Sequence, residues 1–439
     1  MKVLVIGGGA REHAMAKGLH KAGAELFATM GNRNPGIAGL CSDFKIVKET
    51  EIQQVKEFAV SKGVEMAVIG PEAPLVEGIV DVLEDAGVSC VGPSKDAARL
   101  EGSKEFMRDL MKKHEIPGRI EYEVFDDIGS SEQFLRAHSG QDFVIKPIGL
   151  CGGKGAKIMG EHFHSIEETM EYVKDIIRNK LGGSSRLIIE ERITGEEFTL
   201  QAFVDGKHIV PMPLVQDHKR AYEGDKGPNT GGMGSYSQAD HMLPFINKKE
   251  YQEALDIMQK VVDAMASEGC PYKGFLYGQF MLTAKGPKII EFNARFGDPE
   301  AMNVLSLLDS DLLEICKGIV KGNMGQAVFR NQATVCKYIV PKGYGVKSLS
   351  DQPIDFKEED IKMEGAELFY ASVNEKDGRV FTTTSRSLGV VGFGGEIWEA
   401  EQVAERALAH VKGEVFMRHD IGKKEQIEKK IQHMKELRG

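Results

Sequence analysis

The chain has 439 residues, enough for about three domains, and its 41% hydrophobic and 28% charged residues are a globular composition that excludes a disordered or fibrous chain. The net charge of −10 argues against nucleic acid as a default partner, so an anionic ligand needs a local basic pocket. Fifty glycines exceed the usual share of about 7% and belong in loops that need positive φ or close approach to a ligand.

Val3–Ile6 predicts a buried strand, and Arg11–Lys21 a helix with Ala14 and Leu19 on its apolar face. Glu51–Lys62 is a second helix, Met66–Ile69 a strand, Leu75 the start of a third helix and Val88–Val91 another strand. Strands separated by helices predict a doubly wound parallel sheet. Its ligands bind at the carboxyl ends of the strands, here near Gly7–Gly9 and Gly70–Pro74. The Gly7–Ala14 turn brings backbone N–H groups to the positive end of a helix dipole. It reads as a seat for a phosphate monoester, with Arg11 assisting, or as a plain tight turn. A dinucleotide loop needs a small residue where Glu12 sits, and a ribose-binding acid that Leu26–Thr29 does not offer.

From Ser103 a helix runs to His114, followed by a strand at Val124–Phe125, a helix near Ser131–His138 and a strand at Phe143–Lys146. Lys146 ends that strand, and the glycines of 149–155 with Lys154 can wrap phosphates. The spacing is not a Walker A loop, because Gly155 follows Lys154. Taken alone, the segment is equally a surface hairpin. A long helix near Ile166–Asn179 precedes strands at Leu187–Glu190 and Phe198–Val204. The first strand turns acidic at Glu190, so it can become a hinge that shows backbone groups to an adenine edge, with Glu197 beyond it for ribose hydroxyls. Residues 217–235 form a polar, glycine-rich loop too long for a simple connection.

A helix at Lys249–Ala266 leads into strands at Leu276–Leu282 and Lys288–Phe292, joined through Ala284–Pro287. Alternation puts Glu291 and Asn293 on one face. Hard oxygens at that spacing suit Mg²⁺, and Gln279 on the partner strand offers a third. Arg295 follows and can neutralise a transferring phosphoryl group. Residues 326–439 read as strands with terminal helices. Six scattered cysteines without a CxxC pair fit a reduced, cytoplasmic chain. No run of about eighteen apolar residues predicts a membrane span.

Together these motifs resemble the ATP-grasp superfamily. Longer segments are similar to its glycinamide ribonucleotide synthetase family: GGGAREHA (Gly7–Ala14), GPEAPLV (Gly70–Val76), LEGSK (Leu100–Lys104), QDHKR (Gln216–Arg220), GPNTGGMGSY (Gly227–Tyr236), GFLY (Gly274–Tyr277), EFNARFGDPE (Glu291–Glu300) and RHDIG (Arg418–Gly422). The resemblance implies an α/β and α+β chain. A doubly wound N-terminal domain would cover 1–102, and an ATP-grasp core of two α+β subdomains 103–325, its flexible ATP-binding subdomain at about 118–195. A small mixed α/β C-terminal domain would cover 326–439.

The resemblance also implies ATP-dependent ligation of glycine to 5-phosphoribosylamine through a glycyl phosphate. The products are glycinamide ribonucleotide, ADP and phosphate, a step of purine biosynthesis. It implies a cytoplasmic monomer or small homo-oligomer, without nucleic-acid or membrane partners. Carried over by residue, Lys104, Lys146 and Lys154 would contact the ATP phosphates, Glu190 and Ile193 the adenine, and Glu197 the ribose. Glu291, Asn293 and Gln279 would hold Mg²⁺ or Mn²⁺, as two ions. Gly8, Gly9, Arg11 and Glu72 would hold phosphoribosylamine. Asp217, Lys219, Asn229, Thr230, Gly232 and Arg295 would line the glycine and acyl-phosphate region. Arg295, Lys146 and Asp217 form the implied catalytic set. The 146–156 loop departs from the family's usual K-A-D-G-L-A-A-G-K-G-V by keeping both lysines and losing the aspartate. Val335–Tyr344 also departs from the usual alanine- and glycine-rich segment.

Overall fold

The computed structural model describes residues 1–149 and 155–439. Lys154, predicted to contact ATP phosphates, lies outside the described residues, as do Cys151, Gly152 and Gly153 of the same loop. The five cysteines that are described are free thiols. Among the described residues, no helix is long and apolar enough to cross a membrane.

The N-terminal sheet is five-stranded and parallel, in the order Asp43–Ile46, Glu25–Met30, Lys2–Ile6, Met66–Ile69, Ser89–Val91. Its central strands are continuous apolar runs, because helices cover both faces and leave no solvated side. The strand order reverses between Lys2–Ile6 and Met66–Ile69, so a crevice opens beyond their carboxyl ends. Gly7–Gly9 and Gly70–Glu72 line it. The helix expected from Leu75 is two helices, Glu72–Glu77 and Ile79–Glu84, because Gly78 adopts φ +92° between them.

The next sheet is antiparallel, in the order Tyr122–Phe125, Leu187–Glu191, Phe143–Pro147, Lys157–Ile158. The helices Ile128–Ala137 and Ile166–Asn179 pack on it. Leu135, Ile145, Val173, Ile176 and Ile189 form a small core separate from the rest of the molecule. A second antiparallel sheet runs Ile209–Pro211, Glu196–Asp205, Lys273–Thr283, Gly286–Asn293. Its last pairing carries a register shift at Gln279/Phe280. Such bulges re-aim side chains, and here the shift sits beside the candidate ligands.

The glycine-rich segment 217–235 is more ordered than its sequence predicts. Gln216–Asp217 and Gly234–Ser237 are strands, with a hairpin of Arg220–Tyr222 and Lys226–Asn229 between them. Two to four residues carry too little alternation to announce a strand; distant partners create it. Gly234–Ser237 pairs with Ala333–Pro341, so the third sheet crosses into the C-terminal part. Leu388–Gly394 and Glu367–Tyr370 complete that sheet.

Candidate active site

Lys146 stands near the end of Phe143–Pro147, two residues beyond the point where Val144 pairs with Glu190. Its Nζ lies 2.6 Å from Glu190 Oε2. The other carboxylate oxygen takes Arg108 Nε at 2.8 Å. Arg108 is 1% exposed and also donates to the carbonyls of Ile289 and Ile290, at 2.9 and 2.8 Å. Burial raises the Glu190 carboxyl, but the two cations outweigh it and hold it at about 2. Glu190 is therefore a fixed anion between two cations. Both of its carboxylate oxygens are thus already paired within the chain. Arg108 escaped the sequence reading, where it looks like one more charged residue of the helix Lys104–Lys113. Lys104 opens that helix and reaches Gly149 O at 3.0 Å, beside the glycine loop.

Gln279 faces Glu291 across the hairpin, and Tyr277 faces Asn293, so all four share one side of the sheet. Gln279 is fully buried; its amide accepts the Tyr277 hydroxyl and donates to Glu197 Oε2 at 2.7 Å. Gln279 thus links Tyr277 to Glu197 before it offers anything to a metal. Glu291 and Asn293 are half-buried and remain hard oxygen donors on the open side of the sheet. Burial raises the Glu291 carboxyl, yet Lys219, Lys146, Lys104 and Arg295 outweigh it and keep it below its ordinary value. An ionised carboxylate and a neutral amide on one face, in a field of cationic side chains, are a donor set that fits a hard divalent cation carrying phosphates.

Lys219 lies 3.4 Å from Glu197 Oε2. Burial works against its charge, but Glu197, Asp217, Glu291 and Glu300 together keep it protonated. Among the described residues, Asp217 Oδ1 is buried without a hydrogen-bond partner. Glu300, near the Tyr277 hydroxyl at 2.9 Å, is pushed up to about 7 by burial first and by the Asp217 charge second. Two acids this close, one with an orphaned oxygen, leave room for a cationic group. Thr230 donates through N and Oγ1 to Lys219 O, at 2.8 and 2.9 Å, and accepts from Gly232 N at 3.1 Å. Asn229 pairs with Arg220 in the hairpin.

On the N-terminal side, Arg295 sits between Glu72 at 3.3 Å and Glu101 at 3.0 Å. It is thus anchored by two carboxylates, and its charge also bears on Glu291. Arg295 holds Glu72 down at about 2, against burial. Burial pushes Glu101 up to about 7 despite the same arginine. In the Gly7–Gly9 loop, donors that a phosphate could use already have partners within the chain. Gly9 N donates to Glu12 Oε2 at 2.7 Å, and Arg11 is spent on Glu12 at 2.6 Å and on Phe296 O at 3.1 Å. A Cβ at Gly70 would stand 2.0 Å from Glu12 Oε1. These glycines make room for the Glu12 side chain. Gly8 lies between them, packed near Met30.

Arg386 closes the arrangement from the C-terminal part. It donates to the carbonyls of Gly231, Gly232 and Asp298, and pairs with Asp298 Oδ2 at 3.0 Å. The Tyr338 hydroxyl donates to the other Asp298 oxygen. The site therefore draws on every part of the chain. Asp298, Glu300, Glu101, Arg108 and Arg386 were missed from sequence. Asp298 and Glu300 lay inside the quoted 291–300 motif and Glu101 inside the quoted 100–104 motif, but only the fold gives them partners. His13, in contrast, is packing: its Nδ1 accepts from Tyr370 N at 3.0 Å, and burial pushes it down to about 3.

Three models of phosphoribosylglycinamide synthetase match the chain: the N domain at residues 1–101, the ATP-grasp domain at 102–301 and the C domain at 334–424. The phosphoribosylamine–glycine ligase of Methanothermobacter thermautotrophicus is 52% identical over 438 residues, covering 100% of both chains. The crystal structure of phosphoribosylamine–glycine ligase from Thermotoga maritima superposes with a TM-score of 0.82 at 29% identity, over 96% of this chain and 100% of that one. A biotin carboxylase domain from Hydrogenobacter thermophilus, crystallised with MgADP, has a TM-score of 0.73 at 14% identity over 99% and 93%, which is a likeness of fold. Family models over most of the length and full-length identity of this order leave one conclusion: the chain belongs to the phosphoribosylglycinamide synthetase family.

Proposed function

We propose that the protein is a phosphoribosylamine–glycine ligase of purine biosynthesis. It would join glycine to 5-phosphoribosylamine at the expense of ATP. The observation that carries this reading is the donor pair Glu291 and Asn293 on one face of the hairpin, with the charges of Lys219, Lys146, Lys104 and Arg295 bearing on Glu291, within a chain of that family. Glycine carboxylate attacks the γ-phosphorus of ATP, and ADP leaves. The amine of phosphoribosylamine then attacks the acyl carbon, phosphate leaves, and the nitrogen releases a proton. The first step needs alignment and charge neutralisation more than a protein nucleophile. Lys146 and Lys104 supply positive charge on the phosphate side, with Lys154 proposed beside them. Glu197 faces the ribose, and the backbone at Ile193 the adenine edge.

Glu291 and Asn293 would hold Mg²⁺ or Mn²⁺, with Gln279 steering Glu197 behind them; two ions are the expected number. The metal supplies charge neutralisation on the phosphates when bound. Asp217 and Glu300 face the ammonium end of glycine, and Lys219 its carboxylate. Asn229, Thr230 and Gly232 form the wall that carries Lys219. Arg295 stands between the two substrates, held by Glu72 and Glu101. Gly8, Gly9, Arg11 and Glu72 border the crevice for phosphoribosylamine, whose approach must displace or share the Glu12 contacts.

The test is ADP formation with glycine, with and without phosphoribosylamine, across a range of Mg²⁺ concentrations. Turnover should require both substrates and the metal. Glycine-stimulated turnover that ignores phosphoribosylamine would reassign the amine acceptor.

A further inference from the structure

The Arg418–Gly422 segment belongs to the C-terminal part, yet its polar groups are spent on the core. Arg418 is 1% exposed. Its Nε and Nη2 grip both oxygens of Asp420, at 2.8 and 2.6 Å. Its Nη1 donates to the Arg220 carbonyl at 3.0 Å and to Asp225 Oδ1 at 2.8 Å. Gly224 N donates to Asp420 Oδ2 at 2.9 Å. One buried guanidinium, oriented by Asp420, therefore fixes the hairpin of the glycine-rich segment. A fork of donors in a rigid plane sets direction as well as distance, which a lysine cannot do.

Adjacent residues carry this grip to the site. His218 is buried, while Asp217 and Lys219 are part-exposed and form a front on which the Asp217 charge bears on Lys219. His218 Nδ1 lies 3.3 Å from Asp225 Oδ1, the oxygen that Arg418 holds. The backbone on either side is pinned: His218 N donates to Gly234 O at 2.9 Å, and Met233 N to His218 O at 2.7 Å. On the front face, Lys219 meets Glu197 and the Asp217 charge bears on Glu300. Moving Asp225 or the Arg220 carbonyl must move that face.

We propose that Arg418 is a positioning residue for the glycine end of the reaction, acting through Asp225, His218 and the Arg220 carbonyl to hold Asp217 and Lys219 in place. The proposal rests on the placement of glycine at Asp217 and Lys219. It separates from plain packing by its selectivity. Lys146 and Glu190 lie on another sheet and Arg108 on the helix Lys104–Lys113, so ATP binding should feel the change only weakly, through the Lys219–Glu197 contact.

The experiment compares Arg418→Ala, Asp225→Gly and Asp217→Asn by steady-state ADP formation, and measures ATP binding calorimetrically without glycine. Asp225 is exposed and sits at φ +54°, which glycine adopts freely, so this variant folds even where Arg418→Ala does not. Loss of a hydrogen bond to a charged group predicts a rise in glycine KM of about tenfold for Asp225→Gly and about a hundredfold for Arg418→Ala. The double variant should be no worse than Arg418→Ala, ATP affinity should stay within about twofold, and added guanidinium ion should restore part of the glycine KM of Arg418→Ala. An unchanged glycine KM in both variants, or an ATP affinity that weakens in step with it, overturns the positioning role. An impaired Asp217→Asn beside unimpaired Arg418→Ala and Asp225→Gly strikes the positioning role alone. An unimpaired Asp217→Asn strikes the glycine placement and with it the role of Arg418.

Discussion

Two buried glutamates, one on the proposed ATP side and one on the proposed ribonucleotide side, meet arginines and end in opposite states. Glu190 has Arg108 on one oxygen and Lys146 on the other, and is held at about 2. Glu101 has Arg295 on one oxygen and the Ala294 amide on the other, shares that arginine with Glu72, and is pushed up to about 7. Burial opposes ionisation in both. Two cations overcome it at Glu190; at Glu101 the shared arginine does not, because the charges of Glu72 and Glu291 add to burial. The ATP side is thus built around a permanently charged triad. The ribonucleotide side keeps a carboxyl that changes state near neutral pH.

Breaking the triad should have the largest effect. Arg108→Met leaves two strand carbonyls without a donor and one cation for a buried carboxylate. A stability loss of about 3–5 kcal/mol is expected, read as a shift in the urea midpoint. A loss below about 1 kcal/mol would mean that the triad adds little. Lys146→Ala tests the other arm. Glu190 keeps Arg108, so the midpoint should move less than in Arg108→Met. Turnover should fall about 10²–10³-fold, and near-normal turnover would remove Lys146 from the reaction.

The smallest effect concerns pH. Glu101 has a folded value of about 7 above its ordinary 4.5. Its stabilising contribution is complete below pH 4.5 and is lost as pH rises through 7. Glu190 runs the other way: its contribution is present above 4.5 and is lost as pH falls through 2. Glu101→Gln should flatten the stability curve between pH 4.5 and 7 by up to about 1.4 kcal/mol per pH unit, leaving the acid limb alone. Superimposable curves for wild type and Glu101→Gln would erase the contrast.

Much of the scaffold was readable because its signals are local. Met66–Ile69 and Ile166–Asn179 have the bounds that their apolar pattern predicts, and Val3–Ile6 misses one residue. The alternation of Glu291 and Asn293 was legible for the same reason. The short strands between 216 and 237 were not, since Ser235 finds its partner at Cys336, a hundred residues on. Arg108 and Glu101 were hidden likewise, because Glu190 and Arg295 reach them only through the fold. The glycines of the N-terminal loop were rightly read as close-approach positions, but what approaches Gly7 and Gly70 is the Glu12 side chain.

The strand pairing of Gly234–Ser237 with Ala333–Pro341 has a consequence for the order in which the enzyme becomes an enzyme. Chains emerge from the ribosome amino end first, and early portions fold as they appear. The nucleotide-side sheets are complete by Asn293. The segment bearing Asp217 and Lys219 still lacks its neighbouring strand until Pro341 has been made, and Arg418 arrives later still. A nascent chain can therefore assemble a nucleotide site well before it owns a finished site for glycine. On the proposed reading, the acyl phosphate, which water would destroy, is not made before the glycine end is complete.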